Sequence, residues 1–269
     1  MTWRRPRVGA ATFLLGALVV GCAARGPAPR TFAAPVADPK EVAAAFAERG
    51  RALHSLRALA KVRYTDPQER HSSRQAVVVA RPDQIRVEVL SLLGTAFVLT
   101  AQGGHLVAYW PEERTLFEGL ASAENLWRYT RVWMPVETLI DVLLGTPAAQ
   151  SAELAPCPSE TTSATCLRQD TAGRGALLVA LDSRGLPQEV EELGVVDGEV
   201  LWRARYLEYT HETVPPAAKS IVIEVPRYRR SVALQLSDVE VNPALPHGVF
   251  QVVAPPDARV VDLDAQEVD

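Results

Sequence analysis

The sequence lacks the residue combinations that most enzymes and metalloproteins need. Its 269 residues include only three cysteines and five histidines, and no two histidines have the spacing of paired metal ligands. A glycine-rich phosphate loop, a Gly-x-Ser-x-Gly elbow and a zinc signature are all missing. His71 and Ser72 are neighbours, but neighbouring side chains on a strand point to opposite faces. We therefore expect no catalytic site, no metal site and no cofactor.

Basic residues are too few to suggest a nucleic-acid-binding protein. The formal net charge is −4, and three of the 28 Lys and Arg residues, Arg4, Arg5 and Arg7, lie at the very start of the chain. The rest has 25 basic against 32 acidic residues, a net charge of −7. Binding to nucleic acid or to anionic lipid surfaces depends on Lys and Arg. This balance argues against both, so any membrane contact should be hydrophobic.

The N-terminus has the organisation of an export signal. After the three arginines, an apolar run from Val8 to Val20 is shorter than the ~20 residues that a membrane-spanning helix needs. It ends in Val-Val-Gly-Cys22, which resembles the lipobox of bacterial lipoproteins, where the cysteine becomes the lipidated first residue. This pattern predicts a signal peptide at 1–21 and lipidation at Cys22. The alternatives are an ordinary secretory signal with a chance cysteine, or a short anchor helix.

The residues after Cys22 indicate where the protein would be held. Residues 22–37 are rich in Ala, Pro and Gly, and we expect them to form a flexible lipidated tether. The residue after the cysteine is Ala23. An aspartate at that position would resemble a signal that retains lipoproteins in the inner membrane, and this chain lacks it. This favours a protein that its lipid anchors in the outer membrane, facing the periplasm.

The two other cysteines, Cys157 and Cys166, lie in a polar stretch without periodicity, which we interpret as a loop insertion at 148–175. In an oxidising periplasm, a disulfide that closes this small loop is the natural interpretation. Neither cysteine has a histidine nearby, which argues against a metal site.

From residue 57 onward the hydrophobic pattern is that of short β-strands. Apolar and polar residues alternate, and Gly, Pro and Asp-Gly turns interrupt the series. A helix is expected after Asp38-Pro39, and another after Pro135, where apolar residues recur at i, i+3, i+4 and i+7. The sequence predicts a mainly β (α+β) fold, a curved antiparallel sheet of about 11 strands covered by helices. We expect a single domain at 38–255 and a C-terminal tail at 256–269.

Three segments in this order, behind the lipobox, resemble the outer-membrane lipoprotein receptor LolB and its soluble partner LolA. The first is a strand, a Leu-Gly turn and the next strand, at 85–99, and the second is a proline-started helix ending in Leu-Gly-x-Pro, at 134–147. The third runs from Gly185 to the strand near Leu234. The resemblance, to a divergent member of the LolB and LolA-like carrier family, covers about residues 40–241. It departs from the family at Leu92, where LolB has a proline, and in the loop with the two cysteines.

The resemblance implies a half-open β-barrel in which helices cover an apolar cavity that accepts the acyl chains of lipoproteins. Small side chains on the concave face of a curved sheet are compatible with such a cavity, although alanines also suit close helix packing. The residues that we expect to line it are Ala60, Val62, Val87, Val89, Val98, Leu106, Leu139 and Leu143.

Leu92 and Leu93, at the turn before Gly94, form the candidate membrane-insertion loop. In the family, the leucine that matches Leu93 protrudes from a loop and helps to insert the cargo into the membrane. An apolar pair at a turn gains little unless it meets a partner or lipid. The alternative is that one leucine folds back onto the core.

The residues and the resemblance together predict a non-enzymatic, monomeric outer-membrane lipoprotein. It would receive lipoproteins from a soluble periplasmic LolA-like carrier, hold their acyl chains in the cavity and help to insert them into the outer membrane. The alternative is a structural or sensory envelope lipoprotein that uses the same sheet to bind a protein partner.

Overall fold

A computed structural model describes residues 39–147, 154–157, 166–171, 173 and 175–265. The predicted signal peptide at 1–21, the lipidation site Cys22 and the tether at 22–37 lie outside the described residues. Within the described ranges, no helix is both long enough and apolar enough to cross a bilayer.

The described residues form fourteen strands, which belong to one sheet. They are β1 (Ser55–Thr65), β2 (Arg70–Ala80), β3 (Gln84–Ser91), β4 (Gly94–Gln102), β5 (His105–Trp110), β6 (Thr115–Leu120), β7 (Ala155–Pro156), β8 (Cys166–Thr171), β9 (Gly175–Leu181), β10 (Pro187–Leu193), β11 (Val200–Tyr209), β12 (Ala218–Val225), β13 (Arg230–Val241) and β14 (Arg259–Asp262). Their order across the sheet is β14-β6-β5-β4-β3-β2-β1-β13-β12-β11-β10-β9-β8-β7. The sheet is antiparallel except for the parallel pair of β14 with β6.

The sheet is curved. It is also open, because its two outermost strands, β14 and β7, do not pair with each other in the described residues. The predicted mainly β fold, a half-open antiparallel sheet with helices, is confirmed, with three strands more than the 11 expected. In β1 the alternation of the sequence becomes an alternation of faces. Ala58 and Ala60 are buried, whereas Arg57, Leu59 and Lys61 are exposed.

Three α-helices occur in the described residues: α1 (Pro39–Ala52), α2 (Ala123–Thr130) and α3 (Val136–Leu144). The side chain of Ser122 caps α2 by accepting a hydrogen bond from the backbone N–H of Asn125 at 3.1 Å. Helix α3 follows Pro135 and ends at Gly145, whose φ of 67° lies in the left-handed region that glycine tolerates. The expected helix after Pro135 is therefore present with its expected start and end.

The core lies between the helices and the concave face of the sheet. Helix α3 packs against β2, β3 and β12, and its Ile140 and Leu144 are completely buried. Leu126 of α2 and Phe46 of α1 belong to the same apolar cluster. Each such side chain contributes about 1.5–3 kcal/mol when it is removed from water.

The stretch at 148–175 is not only a loop, as the sequence suggested. It contributes β7 and β8, and β8 pairs with β9 along its whole length, from Thr171 opposite Gly175 to Cys166 opposite Ala180. The sequence did not reveal β8, because its residues from Arg168 to Thr171 are polar and do not show the alternation of a half-buried strand. A disulfide joins Cys157 to Cys166, with their Cα atoms 5.3 Å apart, and thereby ties β7 to β8.

Part of the segment that the sequence assigned to a C-terminal tail at 256–269 joins the sheet, as β14. The pairing continues beyond β14, where the N–H of Leu263 donates to the carbonyl of Glu118 at 2.8 Å. Gly119 makes this approach possible, because a β-carbon at that position would lie 2.8 Å from the β-carbon of Leu263. The sheet therefore extends past residue 255, as far as Leu263.

Arg81, directly after β2, holds the helices to the sheet. Its side chain is 7% exposed, and the guanidinium forms an ion pair of 2.7 Å with Asp141 of α3. It also donates to the carbonyl of Leu53, just after α1, at 2.6 Å, and to the Thr146 hydroxyl at 2.6 Å. Burial raises the pKa of Asp141, and the Arg81 charge opposes that rise. One side chain thus joins α1, α3 and the β2–β3 turn.

Replacing Arg81 by methionine should lower the free energy of unfolding by about 3–5 kcal/mol, because the largely buried Asp141 carboxylate, 25% exposed, would lose its ion-pair partner. Urea denaturation followed by circular dichroism would measure this. Arg57→Met is the matched control: Arg57 pairs with Glu240 at 2.5 Å, but its side chain is 46% exposed, so the expected cost is below about 1 kcal/mol. Equal costs for the two variants would contradict the role assigned to Arg81.

Candidate lipid-binding cavity

A cavity of about 430 Å³ lies between the concave face of the sheet and the segment that joins α2 to α3. Strands β1 to β4, β12 and β13 supply its walls, and Tyr129, Val132, Leu139 and Leu143 supply its roof. Its volume falls within the range of about 300–1,000 Å³ that is typical of small-molecule sites.

The inner part of the cavity is mainly apolar, because the strand register brings short apolar side chains to one face. Its polar side chains in β2 are Ser73 and Gln75, which hydrogen-bond to each other at 2.9 Å. Val62 lies opposite Leu234, and Val87 lies opposite both Val77 and Leu99. Residues directly opposite each other in antiparallel strands project to the same face. With Leu139 and Leu143 above them, these side chains form a surface suited to an alkyl chain.

The structure places five of the eight predicted lining residues around this cavity: Val62, Val87, Val89, Leu139 and Leu143. The prediction is corrected for the other three. Ala60 and Leu106 lie on the concave face but are buried in the filled part of the core. Val98 lies on the opposite face, because it is opposite Glu88 whereas its neighbour Leu99 is opposite Val87.

The mouth of the cavity, in contrast to its interior, is polar. It is formed by Tyr64 and Asp66 at the end of β1, by Glu69 and His71 at the start of β2, and by Arg131 and Arg230. Asp66 accepts hydrogen bonds from the Tyr64 hydroxyl at 2.8 Å and from two backbone N–H groups of the β1–β2 turn. These bonds lower the pKa of Asp66, and burial raises the pKa of Tyr64.

An aromatic cluster supports the roof from the side of β4, β5 and β6. The Tyr129 ring lies 5.7 Å from that of Phe97 and 5.5 Å from that of Trp110, and Phe97 and Trp110 are 4.4 Å apart. Such pairs contribute about 0.5–1.5 kcal/mol beyond their buried area. Burial raises the pKa of Tyr129 to about 12, so its phenol is neutral at physiological pH.

Leu92 and Leu93 are fully exposed at the β3–β4 turn. The Ser91 hydroxyl donates to the carbonyl of Gly94 at 2.8 Å and accepts from the N–H of Leu93 at 3.2 Å, which closes the turn and directs both leucines into solvent. The expectation of a protruding pair agrees with this geometry, and neither leucine folds back onto the core.

The leucine pair and the cavity mouth lie at the same end of the sheet, which we call the mouth end. Thr65, at the end of β1, is opposite both Arg70 and Ser231, so the β1–β2 and β12–β13 turns share that end. Leu90 is opposite Arg74, close to the same end of β2. The β10–β11 turn, with exposed Val195 and Val196, also lies there, because antiparallel neighbours alternate their turns between the two ends.

Among the described residues, no three His, Cys, Asp or Glu side chains are grouped as a metal site. What the geometry defines is a half-open sheet with a helical roof over an apolar cavity that opens at one end.

Comparison of the sequence with protein-family models gives no match, and comparison with curated proteins gives none either. Solved structures do share the fold. An outer membrane lipoprotein-sorting protein domain from Vibrio parahaemolyticus has a TM-score of 0.53 at 14% identity, over 80% of this chain and 97% of that one. A LolA superfamily protein from Nitrosomonas europaea has a TM-score of 0.53 at 15% identity, over 78% and 97%. A DUF1329 family protein from Desulfovibrio piger has a TM-score of 0.54 at 8% identity, over 81% and 98%. The chain therefore has a LolA-like fold.

Sequence reasoning missed the polar mouth and the aromatic support of the roof. Arg131 and Arg230 are about a hundred positions apart, and no local pattern connects them. Tyr64 continues the alternation of Ala58, Ala60 and Val62, which is a usable signal for a residue on the cavity face.

Filling the cavity should weaken the binding of a hydrocarbon chain. In Val89→Trp the indole would occupy space that otherwise accepts two or more methylenes, each worth about 0.8 kcal/mol, so affinity for a fluorescent long-chain fatty acid should fall at least about tenfold. Leu90→Trp, one residue further along β3 and on the exposed face, is the matched control. A fluorescence titration in which both variants bind like the wild type would contradict the assignment of this cavity.

Proposed function

We propose that this protein is a non-enzymatic lipoprotein of the outer membrane that binds the acyl chains of lipoproteins and helps to insert them into that membrane, as LolB does. The observation that carries the proposal is the apolar cavity, which opens at the end of the sheet where Leu92 and Leu93 are exposed. The LolA-like fold is compatible with this function.

The cavity offers the energy that holding a lipid requires. Each methylene transferred from water to the surfaces of Val87, Val89, Leu139 and Leu143 contributes about 0.8 kcal/mol. The chain has no nucleotide-binding loop, so transfer would run downhill from a weaker acyl-binding site to a stronger one. The donor would be a soluble periplasmic LolA-like carrier, and the protein would act as a monomer.

The predicted N-terminus would supply the location. Lipidation at Cys22 and the tether at 22–37 would hold the domain at the periplasmic face of the outer membrane. A short tether keeps the local concentration of the domain at the membrane high. The exposed leucine pair would then meet lipid repeatedly.

A second candidate function is the binding of a protein partner in the cell envelope. An exposed apolar surface at the mouth end favours it: Val195, Val196, Trp133 and Tyr228 adjoin a hollow of about 630 Å³. Contiguous exposed apolar surface of this kind marks interaction sites. Failure of the cavity to take up acyl chains would favour this second candidate.

The substitution Leu93→Glu should abolish delivery and leave acyl binding intact. A buried leucine is worth about 1.5–3 kcal/mol in an apolar environment, so the rate of transfer of a fluorescent lipoprotein into vesicles should fall at least about tenfold. The fatty acid titration should be unchanged, because Leu93 does not line the cavity.

Leu207→Glu is the control for this experiment, since Leu207 is also an exposed leucine but lies in β11, away from the mouth-end turns. It should transfer lipoprotein like the wild type. Unchanged transfer in Leu93→Glu would remove the assigned role of the leucine pair.

A further inference from the structure

Two arginines at the cavity mouth have guanidinium groups without polar partners. Arg131 ends α2 in a left-handed conformation, with φ of 58°, and Arg230 is the first residue of β13. Both line the mouth. Within the described part of the chain, neither guanidinium takes part in a hydrogen bond or an ion pair. Each therefore presents a full set of N–H donors, which favour planar anions such as carboxylate and phosphate.

Arg230 is held in place without the use of those donors. Its guanidinium carbon lies 4.9 Å from the centre of the Trp127 ring and 5.8 Å from that of Tyr228. Stacking of this kind engages the face of the guanidinium and leaves the N–H groups at its edge free. A fixed arginine with free donors is organised in advance for an anion, so binding would require little further ordering.

The nearby carboxylates already have partners within their own turn. Asp66 accepts from the Tyr64 hydroxyl and from the backbone N–H groups of Gln68 and Glu69. Glu69 lies 2.6 Å from the His71 ring nitrogen. The hydrogen bonds of these carboxylates stay within the β1–β2 turn. The Arg230 charge helps to lower the pKa of Asp66, but it does so without a hydrogen bond or an ion pair, so the N–H donors of both arginines stay unused.

We infer that Arg131 and Arg230 form an anion-binding subsite at the mouth, so that the cavity also takes an amphiphile with an alkyl chain inside and a carboxylate or phosphate in its headgroup. This rests on the proposed function, since it requires that the cavity hold the chain. The acylated cysteine of a lipoprotein carries neither group, so the subsite adds a second class of ligand, a fatty acid or a phospholipid, to the lipoproteins of the proposed function.

The test uses the full-length protein, freed of lipid, and three ligands that share one hydrocarbon chain: hexadecanol, palmitate and hexadecyl phosphate. Competition against a fluorescent fatty acid measures each affinity. We expect palmitate, hexadecyl phosphate or both to bind at least about tenfold more tightly than hexadecanol, because charge-assisted hydrogen bonds exceed neutral ones. The order of the two anions distinguishes a fatty-acid carboxylate from a phospholipid phosphate as the natural headgroup.

The double variant Arg131→Gln/Arg230→Gln should reduce the preference for anions to about one, while the affinity for hexadecanol stays at the wild-type value. Arg230→Lys should retain part of the preference, since it keeps the charge and loses the planar fork. Arg229→Gln is the matched control, because Arg229 is an exposed arginine in the same turn and does not line the cavity.

The outcomes separate this inference from the proposed function. Equal affinity of the wild type for all three ligands, or an anion preference that survives in the double variant, would overturn the anion subsite and leave the acyl cavity in place. Failure of all three ligands to bind, hexadecanol included, would contradict the cavity itself and the proposed function with it.

Discussion

The arrangement of helices over the sheet depends on the buried ion pair between Arg81 and Asp141. This pair joins the β2–β3 turn to α3, and the same guanidinium donates to the carbonyl of Leu53 after α1. Buried ion pairs are costly to desolvate and contribute little net stability, but they are strongly directional. Arg81 therefore determines the position of α3 more than it adds to the stability of its packing. The position of α3 in turn places Leu139 and Leu143 over the cavity.

The cavity exists because the roof is held at two places and the side chains between them are short. Arg81 holds α3 on one side, and Tyr129 is packed against Phe97 and Trp110 on the other. At the filled end of the concave face, Leu106 is completely buried. Toward the mouth, valines such as Val62 and Val89 do not span the distance to the roof. The apolar character of these residues would make the space favourable for a hydrocarbon chain and unfavourable for water.

The mouth end gathers groups of different chemistry into one functional surface. In the proposed function, the apolar interior would accept a chain, the arginines would offer donors to a headgroup, and the exposed leucines of the β3–β4 turn would contact lipid. Alternating turns of an antiparallel sheet bring these groups together although they are distant in sequence. The same end carries the apolar surface around Val195 and Val196, which is where a protein partner would compete with a bilayer.

Local patterns in the sequence determined most of the elements: alternation specified the strands other than β7, β8 and β14, and Pro135 and Gly145 bounded α3. The exposure of Leu92 and Leu93 was expected from the resemblance to the carrier family, because the local pattern also allowed one leucine to fold back onto the core. These features depend on residues within one or two turns of each other, which is the range over which period and capping act. Only the tertiary structure determined the register of the strands and the placement of the helices over the sheet. The face on which Val98 lies, the pairing of β14 with β6 and the meeting of Arg131 with Arg230 depend on contacts between residues far apart in the chain. Which strand pairs with which, and how far a helix stands from the sheet, is set by the packing of the whole core, and no short segment contains that information.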